Sequence, residues 1–237
     1  MNFRRDLHIR AGYKRAMDIT IIHFPGTNRE KDMADAVKHI SGKAAKMVWH
    51  KETNLGNPDL IILPGGFSYG DYLRCGAMAA HSPIMREVIK KAEGGTPVFG
   101  VCNGFQMLME TGLLPGALMR NRSLKFVCKH VDLEVSSNDN RFLSTFDKGE
   151  ILPAIPVAHG EGCYFNDENG LKSLEDNDQI AFRYKDNPNG SVADIAGITN
   201  KGKTILGMMP HPENALVGSH QGQGGRKLFE AIFKTLA

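Results

Sequence analysis

Cys102 is the residue whose surroundings best suit nucleophilic chemistry. It is the centre of residues 100–104, Gly-Val-Cys-Asn-Gly, which follow a short apolar run and precede a stretch at residues 105–110 that suits a helix. This order is the sequence form of a nucleophile elbow, a sharp strand-to-helix turn in which glycines let neighbouring backbone pass closely. The side chain then lies at a helix N-terminus, where the helix dipole favours a thiolate. The pattern predicts that Cys102 is a nucleophile.

The other cysteines lack this setting. A free cysteine is more often a small buried apolar side chain than a nucleophile, and that role is preferred for Cys75, Cys128 and Cys163. No Cys-x-x-Cys pair occurs, which argues against a zinc site and against a disulfide framework. Free thiols fit a reducing compartment, so we expect a cytoplasmic protein.

A candidate base for this nucleophile lies near the other end of the chain. Residues 209–213 read Met-Pro-His-Pro-Glu, and Pro-His-Pro alone is also compatible with a rigid surface turn. Together with the elbow, the motif predicts that His211 takes the thiol proton. Glu213 is then expected to orient the imidazole and to stabilise its charged form.

Two glycine-rich segments are further candidates. In residues 64–71, Pro-Gly-Gly-Phe-Ser-Tyr-Gly-Asp, the backbone of Gly65 and Gly66 is able to present N–H groups to an oxyanion, helped by the N–H of Asn103. A tight turn is the alternative, and neither common phosphate-loop signature is present. Residues 159–162, His-Gly-Glu-Gly, suit a solvated loop and a functional loop about equally.

Alternating strands and helices must position these residues. Helical spacing or capping predicts helices at residues 30–40 and from residue 82 to residue 94. Apolar runs predict buried strands at residues 18–24, 45–49, 59–63 and 98–101. This alternation predicts an α/β fold with a doubly wound, mostly parallel sheet.

The second half of the chain predicts an extension of that sheet. Shorter runs, some alternating, predict antiparallel or mixed strands at residues 125–128, 131–135, 151–158 and 179–184. A late strand at residues 205–209 delivers His211, and a helix at residues 226–236 ends the chain. Ligands of such sheets bind at the carboxyl ends of the strands. We therefore expect residues 64–71, 102–103 and 211–213 to share one edge.

Composition indicates one soluble globular domain. The chain has 237 residues, of which 41% are hydrophobic and 23% are charged. No apolar run is long enough to span a bilayer, and the N-terminal segment lacks the apolar stretch of a secretory signal. We expect no association with membranes.

The net charge of +3 is concentrated at the N-terminus. Residues 1–16 carry five of the 29 Lys and Arg residues and one of the 26 acidic residues, so the remaining chain is close to neutral. Nucleic-acid binding would require a basic stripe on the folded domain, and we do not expect it. We predict that residues 1–16 are a disordered extension, or precede a true start at Met17, and that residues 17–237 form the domain.

Taken together, these motifs resemble the class I (triad) glutamine amidotransferases. The resemblance extends from about residue 18 to residue 236. Three further segments narrow it to the glutaminase subunits of phosphoribosylformylglycinamidine synthases, from purine biosynthesis: residues 24–28 (Phe-Pro-Gly-Thr-Asn), 71–77 (Asp-Tyr-Leu-Arg-Cys-Gly-Ala) and 158–162 (Ala-His-Gly-Glu-Gly).

The resemblance implies a flavodoxin-like fold and a role for each motif residue. Cys102 matches the nucleophile of the family, His211 its base and Glu213 its carboxylate. Gly65 and Gly66 match its oxyanion loop. Gln106 matches a position that helps to hold glutamine in related amidotransferases.

The implied reaction hydrolyses glutamine to glutamate and ammonia through a cysteine thioester. Ammonia would pass to a large synthetase subunit, which uses ATP and magnesium to make formylglycinamidine ribonucleotide from formylglycinamide ribonucleotide. A third small subunit is implied as well, and no cofactor is expected in this chain. The alternatives are another class I glutaminase, a stand-alone cysteine amidohydrolase and, less favoured because the Cys-His-Glu set is intact, a non-catalytic regulatory subunit.

Overall fold

A computed structural model describes residues 17–71, 75–216 and 223–237 of the chain. The extension predicted at residues 1–16 lies outside the described residues, as do positions 72–74 of one quoted motif. Within the described ranges, no helix has the length and apolar character needed to cross a bilayer.

Eleven strands are described, and they form two sheets. Their bounds are β1 (Ile19–His23), β2 (Lys46–Trp49), β3 (Leu60–Leu63), β4 (Val98–Val101), β5 (Ala117–Met119), β6 (Val127–Val135), β7 (Ile151–His159), β8 (Cys163–Phe165), β9 (Ile180–Tyr184), β10 (Ile195–Thr199) and β11 (Ile205–Met208). The main sheet has the order β2-β1-β3-β4-β11-β10-β9-β6-β7, and β5 pairs with β8 in a small second sheet.

Six α-helices are described alongside these strands. Their bounds are α1 (Glu30–Ser41), α2 (Cys75–Ala80), α3 (Pro83–Glu93), α4 (Asn103–Glu110), α5 (Glu168–Asp176) and α6 (Gly224–Leu236). In α1, the spacing of Met33, Ala36 and Val37 buries one face. The helix ends at Gly42, which adopts the left-handed conformation with φ 74°.

The first half of the chain forms the parallel part of the sheet, as predicted. β1 pairs in parallel with β2 and β3, β3 with β4, and β4 with β11. Every residue of β3, β4 and β11 is buried, which explains why these strands read as continuous apolar runs. The pairing of Val101 with Met208 places the carboxyl ends of β4 and β11 side by side.

The predicted antiparallel extension is also present, with different boundaries. The two short strands predicted at residues 125–128 and 131–135 form one strand, β6, which pairs with β7. A register shift between Val131 and Leu133 explains the broken alternation in the sequence.

β10 was not predicted from the sequence, because Gly197 interrupts its apolar pattern. A Cβ atom at Gly197 would lie 2.8 Å from the Gly207 carbonyl oxygen, so this glycine serves close strand packing and does not break the strand. β5, β8, α2 and α5 were not predicted either. α5 is short and mostly polar, although Asp167 caps it by accepting a hydrogen bond from the Gly170 N–H.

Candidate active site

The turn from β4 into α4 has the geometry of a nucleophile elbow. Cys102 adopts φ 51° and ψ −108°, a conformation that is strained for a residue with a side chain. Close packing explains the flanking glycines: at Gly100 a Cβ atom would lie 2.5 Å from Leu108 Cδ1, and at Gly104 it would lie 1.9 Å from the Leu63 carbonyl oxygen. Only glycine allows α4 to pack this closely against the sheet.

The structure brings Cys102, His211 and Glu213 together. A Cβ atom at Gly65 would lie 2.8 Å from both Cys102 Cβ and His211 Cε1, so both side chains lie against this glycine. His211 Nδ1 donates a hydrogen bond of 2.7 Å to Glu213 Oε1, and the Cys102 side chain lies close enough to the ring to help raise the pKa of His211. The exposed fractions of the three residues are 5%, 3% and 4%, respectively. All three side chains are therefore shielded from solvent.

The charge state of His211 is set by its neighbours. Burial disfavours the charged imidazole, but the Glu213 carboxylate and the Cys102 side chain outweigh burial and raise the pKa of His211 to about 10. Near neutral pH His211 is therefore an imidazolium, which is the partner that stabilises a cysteine thiolate. Glu213 Oε2 is buried and has no hydrogen-bond partner within the described ranges.

His211 is held in place from two directions. β11 lies between β4 and β10, so the residues after it emerge beside the elbow. The His211 N–H donates to the Pro156 carbonyl of β7 at 2.8 Å. The Asn214 side chain, one residue beyond Glu213, donates to Asp32 of α1 at 3.1 Å. The backbone of the turn is thus fixed by two separate elements.

The glycine loop at residues 64–71 is held by the segment that follows β1. Gly66 and Phe67 have φ 98° and 53°, so the loop contains left-handed backbone, including one residue with a side chain. The Asn28 N–H donates to the Gly66 carbonyl at 3.0 Å, and the Tyr69 N–H donates to the Pro25 carbonyl at 2.6 Å. Residues 24–28, which the sequence marked only by resemblance, therefore position the loop expected to bind the oxyanion.

The Asn103 and Gln106 side chains form one hydrogen-bonded series. Asn103 Oδ1 accepts from the Ser68 N–H at 3.1 Å, and Asn103 Nδ2 donates to Gln106 Oε1 at 2.9 Å. Gln106 Nε2 donates to the Glu161 carbonyl at 2.9 Å. The series joins the glycine loop, the elbow helix and residues 159–162.

Residues 158–162 border Cys102. The Ala158 carbonyl oxygen lies 4.0 Å from Cys102 Sγ. His159 is buried, which excludes a fully solvated loop, and its Nδ1 donates to Asn121 Oδ1 at 3.1 Å. Burial first, and the charge of His211 second, lower the pKa of His159 to about 4. His159 is therefore a neutral imidazole beside a charged one.

Two cavities lie beside this region. One, of about 480 Å³, is lined by Gln106, Arg120 and Glu161 together with residues of α4 and β5. The other, of about 270 Å³, shares those three residues and adds Phe67 and Phe126. Both cavities therefore border the Gln106 side chain, one helical turn beyond Cys102.

The remaining cysteines show no comparable surroundings. Cys128 is exposed and Cys163 is partly exposed, so the buried position expected for them is wrong, and both are free. The side chain of Cys75 lies outside the described part of the chain. Among the described residues, no cluster of His, Cys, Asp and Glu is arranged to hold a metal ion.

The chain is similar to a known family and to solved structures. Residues 16–223 match the family of CobB/CobQ-like glutamine amidotransferase domains. A solved structure of PurLQS from Thermotoga maritima is similar, with a TM-score of 0.83 and 40% identity, covering 94% of this chain and all of that one.

Two more distant structures share the fold. A protein from Thermoplasma acidophilum that is named as a GMP synthase component has a TM-score of 0.63 and 16% identity. A glutamine amidotransferase from Thermotoga maritima has a TM-score of 0.53 and 14% identity. Each comparison covers 94% of this chain and 95% of the other.

Proposed function

Because the chain belongs to the family of CobB/CobQ-like glutamine amidotransferase domains, we propose that it hydrolyses glutamine as the glutaminase subunit of a phosphoribosylformylglycinamidine synthase, in purine biosynthesis. The observation that carries the proposal is Cys102 on a strained elbow, beside a His211 that is itself hydrogen bonded to Glu213. The 40% identity to the PurLQS structure supports the narrower assignment.

In the first half of the reaction, the Cys102 thiolate attacks the side-chain amide carbon of glutamine. The electron pair of the carbonyl bond moves to oxygen, and the N–H groups of Gly66 and Asn103 stabilise this oxyanion. The carbon–nitrogen bond then breaks, and His211 gives its proton to the departing nitrogen, which leaves as ammonia. The product on the protein is a glutamyl thioester.

In the second half, His211 is neutral and takes a proton from water as the water oxygen attacks the thioester carbon. The tetrahedral intermediate collapses with release of the Cys102 thiolate, and glutamate leaves. Glu213 holds the imidazole by the Nδ1 hydrogen bond throughout, so Nε2 always faces the reacting atoms. The resting thiolate–imidazolium pair is restored.

Ammonia made here is passed to a synthetase subunit. That subunit uses ATP and magnesium, a third small subunit completes the complex, and this chain carries no cofactor of its own. Free cysteines support a cytoplasmic location. The PurLQS similarity supports the existence of the complex.

A surface beside the site supports docking of the synthetase subunit. Phe67 of the glycine loop stacks on Phe126 with ring centroids 6.1 Å apart, and both rings are exposed. Leu124, beside them, is 78% exposed. Residues 120–130 contain four Lys and Arg residues and no acidic residue. This surface suits an apolar partner surface that is rimmed by carboxylates.

Substitution of Cys102 tests the function. Cys102→Ala should abolish glutamine-dependent formation of the amidine by the assembled complex and spare synthesis from added ammonium, because this chain only generates ammonia. Retained glutamine-dependent turnover would show that Cys102 is not the nucleophile. An equal loss with ammonium would show a structural role.

Substitution of Leu124 tests the docking surface. Glutamate release should rise when the synthetase subunit and its nucleotide ligands are added, and Leu124→Glu should weaken that rise by weakening the complex. Met47→Glu, at a partly exposed apolar residue on the distant edge strand β2, is the matched control and should not. Full activity of the isolated chain, unchanged by the partner, would contradict the proposal.

A further inference from the structure

The side chain of Asn103 has a role beyond the backbone N–H already described. We propose that it is a positioning residue that holds the glycine loop in the conformation needed for oxyanion binding. The inference rests on the proposed function, because it concerns the transition state of glutamine hydrolysis.

The Asn103 amide makes a hydrogen bond at its oxygen and another at its nitrogen, and these two bonds fix its orientation. Its Oδ1 accepts from the Ser68 N–H, and its Nδ2 donates to Gln106 Oε1, at 3.1 and 2.9 Å. Since Gln106 Nε2 donates to the Glu161 carbonyl, Gln106 must present its oxygen to Asn103, which fixes the Asn103 oxygen toward Ser68. The side chain is buried, so water does not replace these contacts.

Ser68 holds a strained part of the glycine loop in place through two hydrogen bonds. Its neighbours Phe67 and Tyr69 have φ 53° and 55°, left-handed conformations that residues with side chains adopt only when surrounding contacts impose them. The Ser68 N–H is bound by Asn103, and its Oγ lies 2.9 Å from Thr27 Oγ1. The loop is therefore held from the elbow on one side and from residues 24–28 on the other.

Gly66, two residues before Ser68, carries one of the N–H groups proposed to bind the oxyanion. Its carbonyl is fixed by the Asn28 N–H at 3.0 Å. Oxyanion donors act only when aimed at the charge that develops in the transition state. If Asn103 no longer holds Ser68, the strained backbone relaxes and the Gly66 N–H turns away. Glutamine still binds, because the ground-state amide makes less use of this donor.

The test compares Asn103→Ala with a matched control, Asn140→Ala. Asn140 is also a buried asparagine, and its Oδ1 accepts from the Phe142 and Leu143 N–H groups, far from the site in sequence and on another segment. Asn103→Ala should lower kcat for glutamine by roughly 10²- to 10³-fold, the loss typical of one oxyanion donor, with KM changed only slightly. Asn140→Ala should leave both constants near those of the wild-type protein.

A second measurement separates positioning from general damage. Glutamate γ-semialdehyde forms a tetrahedral adduct when the thiolate adds to its aldehyde carbon, and the oxyanion of that adduct needs the same donors. Its inhibition constant should rise in parallel with the fall in kcat. An unchanged inhibition constant, or an unchanged kcat, would overturn the proposal.

Asn103→Leu keeps the proposal testable if Asn103→Ala fails to fold. This variant fills the space of the asparagine side chain but offers no acceptor to the Ser68 N–H, so it should show the same fall in kcat with KM changed only slightly. Wild-type kcat in Asn103→Leu would overturn the inference alone. If the wild-type protein and Asn140→Ala both fail to release glutamate in the complex, the proposed function and this inference are overturned together.

Discussion

At the scale of single residues, the site depends on the charge of His211. The imidazole lies between Glu213 and Cys102, and their combined effect raises the pKa of His211 to about 10 despite burial. In the proposed reaction, a histidine in this state carries the proton that the leaving nitrogen needs before glutamine binds.

Glu213→Gln should show how much of this depends on the carboxylate. Burial lowers the pKa of His211, and the Glu213 charge is one of the effects that raise it. Without that charge the pKa of His211 should fall from about 10, so the imidazolium should lose its proton at a lower pH. We expect glutamine turnover to fall by roughly 10²- to 10⁴-fold, less than in Cys102→Ala. The pH dependence of kcat/KM is the measurement, and wild-type turnover would contradict the role of Glu213.

His159 should make the fold sensitive to mild acid. The unfolded chain binds a proton at this histidine near pH 6.5, whereas the folded protein does so only near pH 4. Above about pH 6.5, neutral His159 therefore costs the folded protein no stability relative to the unfolded chain. As the pH falls toward 4, the free energy of unfolding decreases by about 3 kcal/mol because only the unfolded chain binds the proton.

His159→Asn removes the titrating group and keeps a donor for Asn121. We expect the free energy of unfolding, measured in urea at pH 7 and at pH 4.5, to fall less between these two values in the variant than in the wild-type protein. An equal fall in both proteins would show that other groups cause the acid sensitivity.

The sequence indicated those residues of the candidate site that belong to local motifs. Cys102 was marked by its flanking glycines, and His211 and Glu213 by their proline-rich turn. The side-chain roles of Asn103 and Asn121, and the backbone contact of Asn28 with the glycine loop, could not be predicted in this way. They depend on hydrogen bonds to segments distant in the chain, and no local pattern encodes such partners.

At the scale of elements, burial on both faces made the parallel strands easy to predict. β3, β4 and β11 are apolar throughout because other parts of the protein cover both faces of the sheet at these strands. The extension was harder, since β10 contains a glycine required by strand packing and β6 contains a register shift. In both strands the interruption of the apolar pattern arises from contacts with neighbouring strands, which the sequence alone does not show.

The packing of α4 on β3 provides a test at this scale. A methyl group at Gly104 would lie 1.9 Å from the Leu63 carbonyl oxygen, so Gly104→Ala must displace the helix or the strand. We expect a loss of about 3 kcal/mol or more in the free energy of unfolding, measured in urea, together with loss of glutaminase activity.

Gly202→Ala is the control for Gly104→Ala. A Cβ atom there would have its nearest neighbour at 3.4 Å, which is ordinary contact. We expect its effect to stay within about 0.5 kcal/mol. Equal stability of the two variants would show that α4 does not need glycine for its approach to β3.

At the scale of the whole molecule, the family match and the packed core begin at nearly the same position. The match starts at residue 16, and the Met17 side chain is buried in the core. The Asp18 N–H donates to Asp59 at 2.8 Å, so the backbone is already tied to the sheet.

A protein that begins at Met17 should therefore keep the melting temperature and the glutaminase turnover of the full chain. Residues 1–16 carry a charge segregated from the rest, and we predict that they contribute to neither property. Thermal unfolding and glutamate release, each measured in the assembled complex and in the isolated chain, are the checks. A large loss in either would show that the extension packs on the domain.

The place of β11 in the sheet also constrains the synthesis of the protein. β11 fills the gap between β4 and β10, and the histidine that follows it completes the site. A chain still growing on the ribosome exposes the apolar edge of β4 until residues 205–208 emerge. During translation the nascent protein is therefore at risk of aggregation through that edge, and its site cannot yet consume glutamine. The insertion of β11 into the sheet covers the edge and also brings His211 to the site.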